Sequence, residues 1–150
     1  MMPTIEERLQ RLEDRDAIHQ LFIDYGRHLD AGDLDAYVSL FAADGQVMLG
    51  PMGKASGRDA IRALMGRVLA RAGASYHLIT SPSVSLDGNR ATSSVMWTVV
   101  ARDAEGKPKL AMLGRHEDEL VREDGTWRIS VRRGLIDLPA TMQSPTGGTN

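Results

Sequence analysis

The chain predicts an α+β fold, a curved and mostly antiparallel sheet wrapped on N-terminal helices as a cone-shaped α+β barrel around an apolar pocket. Three observations carry this. In the first half, hydrophobic residues recur at helical spacing, with Ile18, Leu21, Phe22, Tyr25 and Leu29 on one stripe. From Ser75 onward the period becomes two. Between the alternating runs stand Asp87-Gly88-Asn89 and Asp124-Gly125, residue types that close β-hairpins. Helices that precede the strands, rather than alternate with them, favour an antiparallel sheet covered on one side.

Taken in order, Thr4 and Glu7 have capping-box spacing and start a first helix through about residue 14. A second segment, or a continuation of the first, runs to Ala31 and stops at Gly32. Asp33 caps a short helix over 34–41, in which Leu34, Tyr37, Val38 and Phe41 are helically spaced. Asp44-Gly45 reads as a turn, 46–49 as a short strand and 50–57 as a Gly-rich loop. A third helix follows over about 58–72. Strands are expected over 76–86, 90–102, 109–123 and 126–137, with a turn at 104–108. One domain spans 1–138. Residues 139–150, rich in Pro, Gly, Ser and Thr, read as a tail that is disordered or folds over the pocket as a lid.

Composition narrows the function classes. Eighteen Lys and Arg against 20 Asp and Glu leave a net charge of −2, so there is no basic field for nucleic acid or an anionic membrane. Cysteine is absent, which removes disulfides, thiolate nucleophiles and thiolate metal sites. The four histidines are scattered and suggest no metal site, and there is no phosphate-binding glycine loop, G-x-S-x-G elbow or H-E-x-x-H helix. No signal-peptide pattern or membrane-length apolar run is present, and a soluble cytoplasmic protein is the expectation.

Asp30 is the residue that asks for an explanation. A helix C-terminus carries partial negative charge and disfavours a carboxylate, and one turned inward demands a partner. His77, opening a strand, is the best candidate, and an Asp–His pair beside Tyr25 is a way to move protons. On pattern alone, Asp30 reads rather as a solvated helix end, Tyr25 as a core residue and His77 as structural. Tyr25 and Asp30, five residues apart, lie about 140° apart around a helix, so both can line only a wide pocket.

Strand alternation groups further residues without fixing the pocket face. Met112, Gly114 and His116 go together, as do Val95, Trp97 and Val99. On the last strand Trp127, Ile129 and Val131 share one face and Arg128, Ser130, Arg132 and Gly134 the other. His116 is either solvated within its charged stretch or a second polar group in the pocket. Of the adjacent Arg132 and Arg133, one facing inward needs an anion, for which Asp30 or a ligand would serve. Phe22, Trp97, Val99, Met112 and the 50–57 loop would shape the pocket.

The segments IHQLFIDYGRHLDAGDLDAYVSLFAADG, SYHLITSP and DGTWRISVRR together resemble the SnoaL-like branch of the nuclear transport factor 2-like superfamily, over about residues 10–138. The nearest-looking enzymes are the scytalone dehydratases, bile acid 7α-dehydratases and γ-hexachlorocyclohexane dehydrochlorinases. That resemblance implies a catalytic Asp–His dyad, with the Asp ending the long helix and the His opening a strand, where Asp30 and His77 stand. The bile acid enzymes place a Tyr five residues before the Asp, as Tyr25 is here. The dehydrochlorinase lines its pocket with an Arg five residues after the last-strand Trp, which Arg132 matches. His116 falls at a pocket-lining position whose side chain varies among relatives.

The function implied by the resemblance is that of a cofactor-independent lyase, a dehydratase acting on a small, apolar, cyclic hydroxylated substrate of steroid-like or aromatic-polyketide-like kind. His77 would take the proton, Asp30 would fix its tautomer, and Tyr25 and Arg132 would donate to developing negative charge. Isomerisation or cyclisation would use the same dyad. The superfamily also implies a homo-oligomer, trimer or dimer. It includes non-catalytic ligand binders and dioxygenase small subunits, which have no need of the Tyr25, Asp30 and His77 set.

Overall fold

A single 27-residue helix, α1 (Ile5–Ala31), forms the axis on which the rest of the chain is built. The computed structural model describes residues 1–138; the 139–150 tail lies outside the described residues. The two expected N-terminal segments are one continuous helix. Thr4 Oγ1 accepts the Glu7 N–H at 3.1 Å while the Glu7 carboxylate accepts the Thr4 N–H at 2.7 Å, completing the capping box. At the other end Gly32 takes the left-handed conformation (φ 68°) that closes a helix without a Cβ penalty.

After α1 come α2 (Leu34–Ser39), β1 (Phe41–Met48), a 3-10 turn (Gly50–Met52), β2 (Lys54–Ser56), α3 (Arg58–Ala72), β3 (Ser75–Asp87), β4 (Arg90–Arg102), β5 (Pro108–Glu123) and β6 (Thr126–Leu138). The short helix therefore stops before Phe41, which starts a strand instead of ending the helix. Asp44 and Gly45 lie inside β1, where the pairing with β6 breaks register between Phe41 and Gln46. The expected 50–57 loop holds the 3-10 turn and β2, which pairs with β1.

The six strands form one sheet in the order β2-β1-β6-β5-β4-β3, antiparallel except for the β1–β6 pair. Its outer strands β2 and β3 do not meet, so the curved sheet stays unclosed and α1 and α3 cover its inner face. Pro82 sits on the edge strand β3, where its missing N–H breaks no ladder, next to a register shift between Thr80 and Ser83.

The α1 stripe of Ile18, Leu21, Phe22, Tyr25 and Leu29 is buried against Ile61, Leu64 and Met65 of α3 and Val95, Leu120, Trp127 and Ile129 of the sheet. Each such side chain contributes about 1.5–3 kcal/mol when fully buried.

A bulge in β6 changes the faces read from alternation. Glu119 and Leu120 are consecutive on β5 but pair with Val131 and Ile129, leaving Ser130 as an extra residue. Such a bulge shifts the pleat by one. Trp127 and Ile129 point inward before it and Arg132 and Ile136 after it, so Arg132 shares the buried face with Trp127.

Candidate active site

The Asp30 carboxylate, at the end of α1, meets the start of β3. Its Oδ1 lies 2.7 Å from His77 Nδ1 and accepts the His77 backbone N–H at 3.0 Å; Oδ2 accepts the same N–H at 3.2 Å. These contacts offset the unfavourable position of a carboxylate at a helix C-terminus. One turn earlier, Gly26 allows the approach: a Cβ there would stand 3.3 Å from the His77 carbonyl oxygen and 3.2 Å from Ile79 Cγ1. A larger residue would lever α1 off β3 and move Asp30 with it. The pair is not deeply buried. The side chains of His77 and Asp30 keep 17% and 21% of their exposure, so they sit at a rim rather than in the core.

On one side of that rim is a small, mainly apolar cavity of about 70 Å³. His77, Tyr25, Trp97, His116 and Ser75 supply its polar groups, and Leu29, Leu49, Met52, Met65, Val99 and Met112 most of its apolar wall. On the other side is an open groove of about 640 Å³ bounded by Asp30, Tyr76, Val100 and Arg102. Leu29, Leu69 and Ser75 border both spaces. His77 thus faces the cavity while Asp30 backs it from the groove.

His116 is buried, and desolvation, followed by the charges of Arg132 and His77, holds its pKa well below the ordinary value of 6.5. It is therefore a neutral imidazole at physiological pH. Its ring stands edge-on to Tyr25 with centroids 5.2 Å apart and 5.7 Å from the Trp97 ring. The Tyr25 hydroxyl accepts from Tyr37 at 3.5 Å. Burial above all, and then Tyr25, push Tyr37 well above its ordinary value, so it stays a protonated donor.

Arg132 is fully buried, but its anion is Asp118, not Asp30. Nε and Nη2 donate to the two Asp118 oxygens at 2.8 and 2.7 Å, a bidentate pair. Burial works against its charge, and Asp118 more than offsets this and raises the pKa. Its guanidinium lies 4.2 Å over the Tyr25 ring and outside the cavity lining. Phe22 is likewise a core residue that does not line the cavity.

Of the nine residues singled out from sequence, the fold gathers Tyr25, His77, Trp97, Val99, Met112 and His116 around one cavity and sets Asp30 behind His77. Asp118 escaped sequence reasoning, although it continues the period of Met112, Gly114 and His116 on the same face. Among the described residues no three His, Cys, Asp or Glu side chains converge as a metal site, and no helix is long and apolar enough to cross a membrane.

The SnoaL-like domain family matches residues 10–133 of the chain. An NTF2-like protein with a cystatin-like fold from Novosphingobium aromaticivorans is 26% identical over 94% of this chain and 95% of its own, with a TM-score of 0.82. LinA is 22% identical over 87% of this chain and 90% of its own, with a TM-score of 0.79. A candidate scytalone dehydratase from Novosphingobium aromaticivorans is 20% identical over 84% of this chain and 85% of its own, with a TM-score of 0.71. At these identities LinA and the scytalone dehydratase show a shared fold and nothing finer. No curated protein matches the chain in sequence.

Proposed function

The chain belongs to the SnoaL-like domain family, and from that premise we propose that it is a cofactor-independent lyase that removes water from a cyclic hydroxylated substrate. The observation that carries this reading is the 2.7 Å contact between Asp30 Oδ1 and His77 Nδ1, with His77 lining the cavity. With Nδ1–H donated to Asp30, the opposite ring nitrogen is left as the base. It takes a proton from carbon next to an activating group, and Asp30 stabilises the imidazolium that forms. The neighbouring hydroxyl takes the proton of that imidazolium and leaves as water, which completes the elimination and returns His77 to its neutral form.

The Tyr25 hydroxyl, held by Tyr37, is the donor to the leaving oxygen. Arg132 acts from behind: stacked on Tyr25 and clamped by Asp118, it fixes the ring and supplies a positive field.

Size limits the substrate. Ligand pockets for drug-sized molecules run to about 300–1,000 Å³, well beyond the 70 Å³ of this cavity. A steroid-like or polyketide-like ligand therefore places one ring beside His77 and lays the rest along the adjoining groove, displacing the flexible Met52 and Met112 side chains. The partner class remains a small apolar molecule. A homo-oligomer, trimer or dimer, fits the outward-facing Leu78, Met96, Leu110 and Leu135, all exposed on the outer side of the sheet.

The test is turnover of hydroxylated cyclic ketones, monitored by the absorbance of the conjugated ketone formed. Asp30→Ala and His77→Ala should each lower it, His77→Ala by about 10²–10⁴-fold; full activity in both would sink the reading. Product that keeps its oxygen but has exchanged a ring proton with solvent would mark an isomerase or cyclase using the same dyad. Saturable binding with no turnover of any kind would point to a non-catalytic ligand binder.

A further inference from the structure

Among the described residues, three buried side-chain polar atoms have no protein partner: Trp97 Nε1, His116 Nδ1 and Arg132 Nη1. Buried polar groups are normally paired, and each one left over costs about 1–3 kcal/mol. Their placement is not scattered. On the inner face of the sheet, Trp97 lies opposite Gly114, His116 opposite Gly134, and Arg132 opposite Asp118, so the three occupy neighbouring positions on one patch. Trp97 and His116 both line the cavity that His77 enters.

The two glycines keep this patch bare. A Cβ at Gly114 would stand 2.0 Å from the Leu135 carbonyl oxygen and 2.7 Å from Trp97 Cζ2, and one at Gly134 would stand 3.0 Å from Leu49 Cδ2 and 3.7 Å from His116 Cδ2. A side chain at Gly114 would meet the β6 backbone at Leu135 first and the indole next. The bland account of a buried tryptophan is apolar filling, which suits the ring but leaves its N–H unexplained.

We propose that Trp97 and His116 form a carbonyl-oxygen subsite, so that the substrate carries a ring ketone whose oxygen accepts the Trp97 indole N–H. The unpaired indole and guanidinium atoms are donors only, so the group that completes the patch is an acceptor. Neutral His116 adds a second donor when its proton is on Nδ1. The buried Arg132 charge behind the patch favours an oxygen that gains negative charge. When His77 takes the proton from the carbon next to the carbonyl, the electron pair of the broken C–H bond moves onto this oxygen as an enolate, and the Trp97 side of the cavity is where that charge is held. This rests on the reading of the cavity as the substrate site, and it assigns the side chains that hold the ketone oxygen.

The experiment is a binding measurement with three ring probes of one shape: cyclohexanone, cyclohexanol and methylenecyclohexane. The chain has two tryptophans, so a ¹⁵N-labelled sample shows two indole N–H signals. That of Trp127, bonded to Asp14 at 2.9 Å, is an internal control. Cyclohexanone should shift the Trp97 signal and leave the Trp127 signal in place, while methylenecyclohexane shifts neither. Trp97→Phe should weaken cyclohexanone about tenfold, the worth of one hydrogen bond at about 1.4 kcal/mol, and leave methylenecyclohexane unchanged. His77→Ala should retain the preference for the ketone, so a failure of the base assignment is separable from a failure of this subsite. Equal Trp97 shifts with ketone and hydrocarbon, equal affinity for ketone and alcohol, no ketone binding, or an unchanged ketone preference in Trp97→Phe would each overturn the proposal.

Discussion

The two tryptophans of this chain stand at opposite ends of the inner sheet face and meet opposite fates. At the hairpin end, Trp127 Nε1 donates to Asp14, a buried carboxylate of α1 that also accepts from Arg122 at 2.6 Å and Gln10 at 3.1 Å. Arg122 in turn donates to Asn89 in the β3–β4 turn, so helix, hairpins and sheet are tied by a network whose donors are met. At the other end, Trp97 Nε1 has no protein partner, and a second α1 carboxylate, Asp30, is spent on a histidine that faces a cavity. One helix thus carries two acidic residues to two tasks. Asp14 closes the structure, and Asp30 holds the cavity-lining side chain that we propose as the base. Polar groups that serve the fold find their partners within it, whereas groups that serve a ligand are left open.

The largest expected effect comes from breaking the open end. His77→Ala removes the proposed general base, and turnover should fall by about 10²–10⁴-fold with the thermal midpoint almost unchanged, as measured by kcat/KM beside a melting curve. Asp30→Asn should fall in the same direction. A loss of stability matching the loss of activity would mean that the open end is structural after all.

The same operation at the hairpin end should do the reverse. Asp14→Ala leaves the Trp127 N–H and the Arg122 guanidinium without their acceptor, which should cost about 2–3 kcal/mol of unfolding free energy in a denaturant titration. Activity per folded molecule should stay within about twofold. Inactive but fully stable Asp14→Ala would erase the distinction between the two ends.

The third effect is a pH dependence at the open end. His116 has its native pKa depressed well below 6.5, chiefly by burial. Above 6.5 the native and unfolded forms are both neutral there. Below it the unfolded chain binds a proton that the native state refuses, so stability falls as pH drops through 6.5 toward the depressed value. Up to about 1.4 kcal/mol per pH unit rests on this one group. His116→Phe should flatten that part of the curve, read as denaturation midpoints between pH 7 and pH 5. A slope unchanged by the substitution would show that His116 is protonated in the native state.

Much of this arrangement was legible because its signals are local. The helix over 58–72 and the strand over 90–102 coincide with α3 and β4, since Gly57, Gly73 and the Asp87-Gly88-Asn89 turn mark their ends. Partners far apart in sequence were legible only where chemistry demanded one. Asp30 and His77 are 47 residues apart, and it was the awkward place of a carboxylate at a helix end that linked them. Where no local mark exists, the reading slipped. Nothing in Trp-Arg-Ile-Ser-Val-Arg announces the bulge at Ser130, and one extra residue moved Arg132 onto the face of Trp127. Asp118 went unread in the charged stretch around His116, because its partner on β6 is set by that same bulge. The strand beginning at Phe41 is imposed by parallel pairing with β6, a contact that helical spacing does not reveal.

The smallest effect is the sharpest test of the comparison, because it makes one chemical change twice. Phenylalanine in place of tryptophan keeps an aromatic ring and deletes the indole N–H. Trp127→Phe removes the bond to Asp14 and strands part of a buried carboxylate, so it should destabilise by about 1–2 kcal/mol. Trp97→Phe removes an N–H that already lacks a protein partner, and the relief of that burden offsets the lost ring area, leaving the stability within about 0.5 kcal/mol of wild type. Both tryptophans are about equally buried, at 4% exposure each, so packing loss enters the two variants alike and the difference between them isolates the N–H. Paired urea titrations measure it. If the two substitutions cost the same, the indole of Trp97 is satisfied in solution within the folded protein, and the open end is less open than its geometry makes it.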